Sequence, residues 1–286
     1  MTKPLTIIQF FEQFPDNDSC LDHLMATRYG SEIDCPKCGK HGKFHRRKER
    51  PIYACQWCGH QISPMVGTIF ERSSTPLVKW FYAMYLFVSS RHGVPAKELQ
   101  RQLGVTYKTA WRMGHEIRKY MGYVDGDSGL SGHVEMDETY IGGRDKITGR
   151  PGKNSKKTAV FGMIERGGNV MTKVIPNAQT KTLIPLVEQN VLKGSTISSD
   201  DWHSYRNLSK AGYKHDYVKH NMEQWVNGVH HTNSIEGFWS RLKNSIQGTH
   251  VHVSKKHLSK YLVEFEYRYN MRKYPSQMFD KLLRAF

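Results

Sequence analysis

Four paired cysteines and a few well-spaced acids are the residues of this 286-residue chain whose types could do chemistry. Cys35-Pro36-Lys37-Cys38-Gly39 and Cys55-Gln56-Trp57-Cys58-Gly59 are two C-x2-C knuckles separated by sixteen residues. Each offers two thiolates, and together they fill one tetrahedral sphere. The glycine after each pair allows the tight turn that aims backbone N–H groups at sulfur. A sphere closed by four sulfurs leaves no position for substrate, so this zinc would fold a module rather than catalyse. A redox C-x-x-C would need a thioredoxin-like βαβ context, which is absent around both pairs. The fifth cysteine, Cys20, sits beside Leu21 and Leu24 and reads as a partly buried thiol.

The acids that matter are Asp137 and Asp200, far apart along the chain. Asp137 falls in an extended stretch, 132–143, which is followed by strands at 158–165 and 169–175 around the hairpin signal Arg166-Gly167-Gly168. A helix at 181–191 leads to a short strand, 195–199, that runs into Asp200. A further strand at 213–218 and helices at 234–245 and 255–271 end the chain. Three antiparallel strands, a helix, then a strand ending in an acid is the order of a ribonuclease-H-like domain. Such a sheet brings an Asp of its first strand beside an Asp just after its fourth, and a later helix adds a third carboxylate. Two hard cations roughly 4 Å apart, held by carboxylate oxygens, can clamp the attacking and leaving oxygens of an in-line displacement. Acids packed together are costly without cations, so their convergence suggests cation binding. Glu138, next to Asp137, would point to the opposite face of the strand.

Upstream of these strands the pattern is helical. Residues 77–87 read as a buried helix opening at Pro76. Residues 94–103 and 106–118 follow, separated by a break at Gly104-Val105 and with Thr106 placed to cap the last helix. Leu99, Leu103, Val105, Ala110 and Ile117 fall where a small helical core needs them. This is a helix-turn-helix pattern, in which Tyr107, Lys108, Thr109 and Arg112 would face a DNA groove. An ordinary helical hairpin packed on the catalytic domain has the same pattern. Residues 125–129 read as a linker.

Lys and Arg number 42 against 26 Asp and Glu, a net charge of +16. That excess favours a polyanionic partner, because basic side chains on phosphates release counterions. A membrane is the poorer candidate: residues 77–88 are too short and mixed to span one, and residues 1–14 lack a signal-peptide layout. The cysteine usage suits a reducing cytoplasm. His45, Arg46, Arg47, Lys48 and Arg50 sit at the tip of a hairpin expected from 42–46 and 50–54, open to either phosphate contact or solvation.

Three motifs carry a family resemblance: Met136-Asp137-Glu138-Thr139-Tyr140-Ile141-Gly142-Gly143, Ser199-Asp200-Asp201-Trp202-His203-Ser204-Tyr205, and the run from His231-Thr232-Asn233-Ser234-Ile235-Glu236 to Lys243. With the zinc knuckles, the chain resembles prokaryotic insertion-sequence transposases of the insertion-sequence fifteen-ninety-five family, as far as about Arg272. The resemblance implies a DDE-type transposase in which Asp137 and Asp200 hold catalytic Mg2+ or Mn2+ and Asp201 is a bystander. Glu236 follows Asp200 at the spacing of a third ligand, and Lys243 lies two helical turns on, placed to meet DNA phosphate. Asn233 competes for the third position, since related transposases sometimes use Asn. Asn233 as helix cap, with Glu236 as its capping-box partner, is a further alternative that would demote both. His231 reads either as a contact to phosphate or acid or as a plain helix-entry residue. Trp202 and Trp239 read as core.

The expectation is therefore a mixed α/β chain with a zinc ribbon and N-terminal helix over 1–72, a helix-turn-helix over 73–124 and a ribonuclease-H-like domain over 131–286. It would bind the inverted terminal repeats of its element and target DNA as a homo-oligomer, because two ends must be synapsed. A metal-dependent nuclease or resolvase, and a zinc-ribbon transcription regulator, are the competing readings.

Overall fold

The computed structural model describes residues 4–48, 50–125, 129–142, 157–201, 203–218 and 228–284. Of the expected linker, residues 126–128 fall outside these, as does Trp202. The chain groups into two compact units, Met1–Tyr120 with Tyr274–Phe286, and Met121–Lys273. No described helix is long and apolar enough to cross a membrane.

The first unit opens with two helices where one was expected. α1 (Ile7–Gln13) starts in a capping box between Thr6 and Gln9, and α2 (Asn17–Tyr29) in one between Asp16 and Ser19. β1 (Ile33–Asp34) pairs antiparallel with β2 (His41–Gly42), and β3 (Phe44–Arg47), β4 (Ile52–Cys55) and β5 (Gln61–Ile62) form a second small sheet in that order. The hairpin between the knuckles thus runs Phe44–Arg47 against Ile52–Cys55, later on both strands than the hydropathy suggests. Gly42 is taken by β2, and the second knuckle holds Cys55 opposite Phe44, so the register is set by the knuckles.

α3 (Leu77–Ser89) follows Pro76 and buries Leu77, Trp80, Phe81, Met84 and Phe87. α4 (Ala96–Leu103) ends at Gly104, whose φ of 57° is the left-handed cap that glycine adopts without Cβ strain. α5 (Tyr107–Asp125) begins under Thr106, whose Oγ1 accepts from Thr109 N at 3.2 Å. It runs on to Asp125 instead of stopping near 118. Leu99, Leu103, Ala110 and Ile117 are fully buried, as the spacing predicts, and Val105 is half-buried. The last helix belongs with this unit: Phe279 packs its ring 5.9 Å from Phe10 and 5.8 Å from Phe14.

The second unit is built on a sheet of β6 (His133–Ile141), β7 (Thr158–Glu165), β8 (Val170–Val174), β9 (Thr196–Asp200) and β10 (Lys214–Val218), in the order β10-β9-β6-β7-β8. β6, β7 and β8 form an antiparallel meander, while β9 lies parallel to β6 and β10 parallel to β9. α6 (Thr180–Asn190) joins β8 to β9, and α7 (Asn233–Ser245) and α8 (Lys255–Asn270) follow β10. Val134, Met136, Phe161 and Met163 pack with Leu183, Val187 and Ile197 on one side of the sheet. Val160, Ile164 and Val170 pack with Ile235, Trp239, Leu242 and Leu258 on the other. A sheet covered on both faces explains why β7 is a nearly unbroken apolar run.

The free edge of β8 is closed by α8. Val170 N donates to Asn270 Oδ1 at 2.7 Å, and Thr172 N donates to Glu266 Oε1 at 2.5 Å. An edge strand whose N–H groups are occupied no longer templates pairing with another chain.

Candidate active site and metal centre

The four knuckle cysteines bring their Sγ atoms within 4.8 Å of one another. Cys35 and Cys58 are 3.6 Å apart and Cys38 and Cys55 are 4.0 Å apart. A zinc ion about 2.3 Å from four tetrahedral sulfurs sets them about 3.8 Å apart, so the cluster fits a structural zinc. Both knuckles turn as expected: Gly39 N donates to Cys35 O at 2.8 Å and Gly59 N to Cys55 O at 3.0 Å, with φ of 69° and 71°. Cys20 stands apart from the cluster. It is fully buried rather than partly so, and burial pushes its thiol up to about 12, which makes it inert.

The basic stretch beside the knuckles divides. Arg46 ion-pairs with Asp18 and Asp22 of α2, and Tyr53 donates to Asp22, so Arg46 is a strut between ribbon and helix. Arg47, Lys48 and Arg50 remain exposed. On α5, Tyr107, Lys108 and Arg112 are exposed and Thr109 is half-buried. Lys97 Nζ lies 5.0 Å over the Tyr107 ring, and the Arg112 guanidinium lies 5.5 Å over Trp80.

In the second unit the spacing of the acids acquires a geometric meaning. β9 pairs with β6 in parallel register, His133 with Thr196, Val134 with Ile197 and Glu135 with Ser198. The interval in sequence between the members of each pair is the same as that between Asp137 and Asp200. The pairing ends at Glu135 and Ser198, and the two aspartates stand two residues beyond it at the same offset, each on the face its paired neighbour shares. Asp200 is the last residue of β9 rather than the residue after it. Burial pushes Asp137 up to about 7, and the charges of Asp200 and Glu236 push the same way. The three acids therefore sit close enough to feel one another. Glu138 points to the other face, beside the buried Tyr205, whose hydroxyl is held well above its ordinary range by burial and by the Glu138 charge. Asp201 is exposed.

The helix that carries Glu236 begins differently from the capping-box alternative. Thr232 occupies the cap position, Asn233 is the first helical residue and is exposed, and Thr232 Oγ1 donates to Glu236 Oε1 at 2.7 Å. The N–H groups of the first turn are received by Glu135, a residue that the sequence motifs do not single out. Its carboxylate accepts from Ser234 N at 2.7 Å, Ser234 Oγ at 2.9 Å and Ile235 N at 3.2 Å. Arg166 Nε donates to the same group at 2.7 Å, and His231 Nδ1 lies 3.2 Å away. The acid contact considered for His231 is thus made to Glu135. Burial, with Arg166 close by, pushes His133 down to about 4, so its neutral Nδ1 can accept from Arg166 Nη1 at 3.2 Å. The signal for Glu135 was available: it is two residues before Asp137 on a strand and so shares its face.

Trp239 is buried, as expected, and also donates Nε1–H to Asp137 Oδ2 at 3.1 Å. Gly162, opposite Asp137 on β7, makes room for it: a Cβ there would lie 2.4 Å from Trp239 Cζ2 and 2.9 Å from Ile235 Cδ1. Gly162→Ala is expected to cost about 1–3 kcal/mol of stability, because the ring and the helix must shift to admit one methyl group. Thermal unfolding measures this, and an unchanged midpoint would contradict the packing. Lys243, two turns beyond Glu236 on α7, is exposed.

Comparison with known proteins gives this arrangement a context. A model of the ISXO2-like transposase domain matches residues 129–270, and a model of the transposase zinc-ribbon domain matches residues 15–61. An uncharacterized protein in transposable element ISH50 of Halobacterium salinarum is 27% identical over 273 residues, 89% of this chain and 91% of that protein. An uncharacterized transposase-like protein of Haemophilus influenzae is 30% identical over 109 residues, 38% of this chain and 87% of that protein. Among solved structures, a pre-cleavage Mos1 transpososome matches at 15% identity and a TM-score of 0.28, covering 71% of this chain and 77% of that one. A Mos1 paired-end complex with the left transposon end matches at 13% identity and a TM-score of 0.29, over 72% and 78%. These structural likenesses are too loose to carry an argument about this chain. The two domain models together span about two thirds of the sequence, in the order of its cysteine cluster and its acid-bearing sheet, and the chain belongs to the IS1595 family of transposases.

Proposed function

We propose that this transposase cuts and joins DNA at a site where Asp137, Asp200 and Glu236 hold divalent cations, Mg2+ or Mn2+, in a ribonuclease-H-like catalytic domain. The observation that carries this reading is the register of β6 against β9, whose offset in sequence is also that of Asp137 and Asp200, two residues beyond the last pair. The raised pKa of Asp137 supports it, since three acids crowded into a partly buried site favour a cation over mutual repulsion. For the third ligand, Glu236 is favoured over Asn233. The Glu236 charge reaches Asp137 and its Oε1 accepts from Thr232 Oγ1; both Glu236 and Asn233 are exposed, so exposure does not separate them.

Bound there, the cations would activate the attacking oxygen and stabilise the leaving one. Asp137 and Asp200 stand on strands and Glu236 on α7, and Trp239 fixes the Asp137 carboxylate from the side. A water oxygen attacks the phosphorus at the element end, the P–O3′ bond breaks and a 3′ hydroxyl is freed. That hydroxyl then attacks a phosphorus of target DNA, releasing the target's own 3′ oxygen. Lys243, on the same helix as Glu236, supplies a cation for DNA phosphate.

The N-terminal modules would hold double-stranded DNA. α4 and α5 serve as a helix-turn-helix with Tyr107, Lys108, Thr109 and Arg112 toward the groove, and the zinc ribbon adds Arg47, Lys48 and Arg50. Synapsis of two inverted terminal repeats makes a homo-oligomer the working form on DNA. The division of labour follows 1–72, 73–124 and a catalytic part expected over 131–286, from which Tyr274–Phe286 are taken out because they group with the first unit.

The deciding experiment incubates purified protein with labelled element ends and Mg2+. A nick at the terminus followed by a joined product is the expected result. Nicking without joining would favour a nuclease or resolvase, and end binding without either would favour a regulator.

A further inference from the structure

We infer that Glu135 is a positioning residue of the catalytic site: it fastens the helix that carries Glu236 to the strand that carries Asp137, and so sets the spacing of the cation-holding acids. The inference rests on the reading that those acids hold divalent cations.

Glu135 is wholly buried, two residues before Asp137 on the same face of β6. Its carboxylate accepts from Ser234 N, Ser234 Oγ and Ile235 N, groups of the first turn of α7, at 2.7, 2.9 and 3.2 Å. Those N–H groups have no partner within a helix, and the positive end of the helix dipole favours an acid at that place. Glu236 is the next residue after Ile235. A shift of the α7 start relative to β6 would therefore move Glu236 against Asp137 by a similar amount.

Arg166 extends the fastening to the chain that enters the helix. It donates Nε–H to Glu135 at 2.7 Å, Nη1–H to Val229 O at 2.6 Å and Nη2–H to His231 O at 3.2 Å. Four hydrogen bonds, from Ser234 N, Ser234 Oγ, Ile235 N and Arg166 Nε, fill the roughly four lone-pair positions of the carboxylate. Glu135 is thus saturated by protein donors and is not itself free to hold a cation. A buried ion pair that served stability alone could sit anywhere in the core. This one joins the two elements on which the cation-holding acids stand, and residues that orient metal ligands typically change affinity by about 10–100-fold when altered.

The test measures Mn2+ binding by calorimetry on the full chain with its zinc in place and no DNA, alongside thermal unfolding and the Mn2+ dependence of end cleavage. Glu135→Gln is expected to weaken Mn2+ binding about 10–100-fold while the circular dichroism stays native. Cleavage should be partly restored by raising Mn2+. Ser234→Ala, which removes only the hydroxyl donor, should shift affinity in the same direction by less. A folded Glu135→Gln protein that binds Mn2+ like the wild type would overturn the inference, whatever its loss of thermal stability. Should Glu135→Gln not fold, unchanged Mn2+ affinity in Ser234→Ala overturns it instead. The underlying reading fails separately, if the wild type binds no Mn2+ or if Asp137→Ala binds it undiminished.

Discussion

Asp137→Ala and Asp200→Ala proteins are expected to fold, to bind element ends as the wild type does, and to cut DNA at least about a thousandfold more slowly. A thousandfold loss corresponds to about 4 kcal/mol of transition-state stabilisation, within what cation clamping of the reacting oxygens supplies. Neither aspartate is part of an apolar cluster: Asp137 meets Trp239 and its fellow acids at the sheet face, and Asp200 ends its strand. Removing either relieves like-charge repulsion, which is why folding should survive. Gel-shift and cleavage assays on the same preparations check both halves, and full cleavage by either variant in Mg2+ would refute the assignment.

The same acids predict a pH dependence with a definite sign. Asp137 in the folded protein is pushed up to about 7, above its value near 3.9 in an unfolded chain. Below about pH 4 both states hold the proton and the contribution of Asp137 to stability is at its highest. As pH rises to about 7 the unfolded state ionises first, and the metal-free protein loses at most about 4 kcal/mol over that window, less where solvent screens the site. Divalent cation displaces the proton, so stabilisation by Mg2+ or Mn2+ should be large above pH 7 and vanish towards pH 5. Asp137→Asn should remove the cation-linked part of the dependence, while Glu266, also pushed up to about 7 by burial, keeps a cation-independent part; melting curves across this range with and without cation measure both.

Zinc removal is the second large effect. The ribbon's strands are two to four residues long, too short for a sheet to stand without a staple, and the four sulfurs at its centre are what the strands converge on. Zinc in small modules of this kind contributes an apparent ~10–16 kcal/mol to folding. Cys38→Ser, or a zinc-selective chelator, should therefore unfold the ribbon and abolish specific binding of element ends. The sheet of the second unit, built on its own two apolar clusters, should keep its structure. Metal analysis should find one zinc per chain in the wild type and none in the variant, and end binding unaffected by zinc loss would refute the role given to the ribbon.

Reading the residues alone succeeded where the physics is local. Two cysteines three apart with a glycine behind them specify a knuckle, and Thr106 with Gly104 specifies the break between α4 and α5, because each involves only a turn of backbone. Alternation and turn signals likewise placed the strands of the second unit to within a residue or two. Asp137 and Asp200 stood out by residue type and by strand order.

Tertiary structure decided what depends on register and on partners distant in sequence. That β6 and β9 pair with the very offset that separates Asp137 from Asp200 can be seen only once the strands meet, since a slip of one residue would have turned the acids to opposite faces. Glu135 belongs to none of the sequence motifs, and only the packing of α7, far along the chain, brings first-turn N–H groups onto it. Trp239 read as core, and it is core, but its bond to Asp137 needs the space left by Gly162 on a third element. The four-sulfur cluster was written in residue types and short spacings, and the two candidate aspartates in residue type and strand order. The machinery that holds the third acid against them is a product of packing, because a helix start and a strand so distant in sequence meet only in the fold.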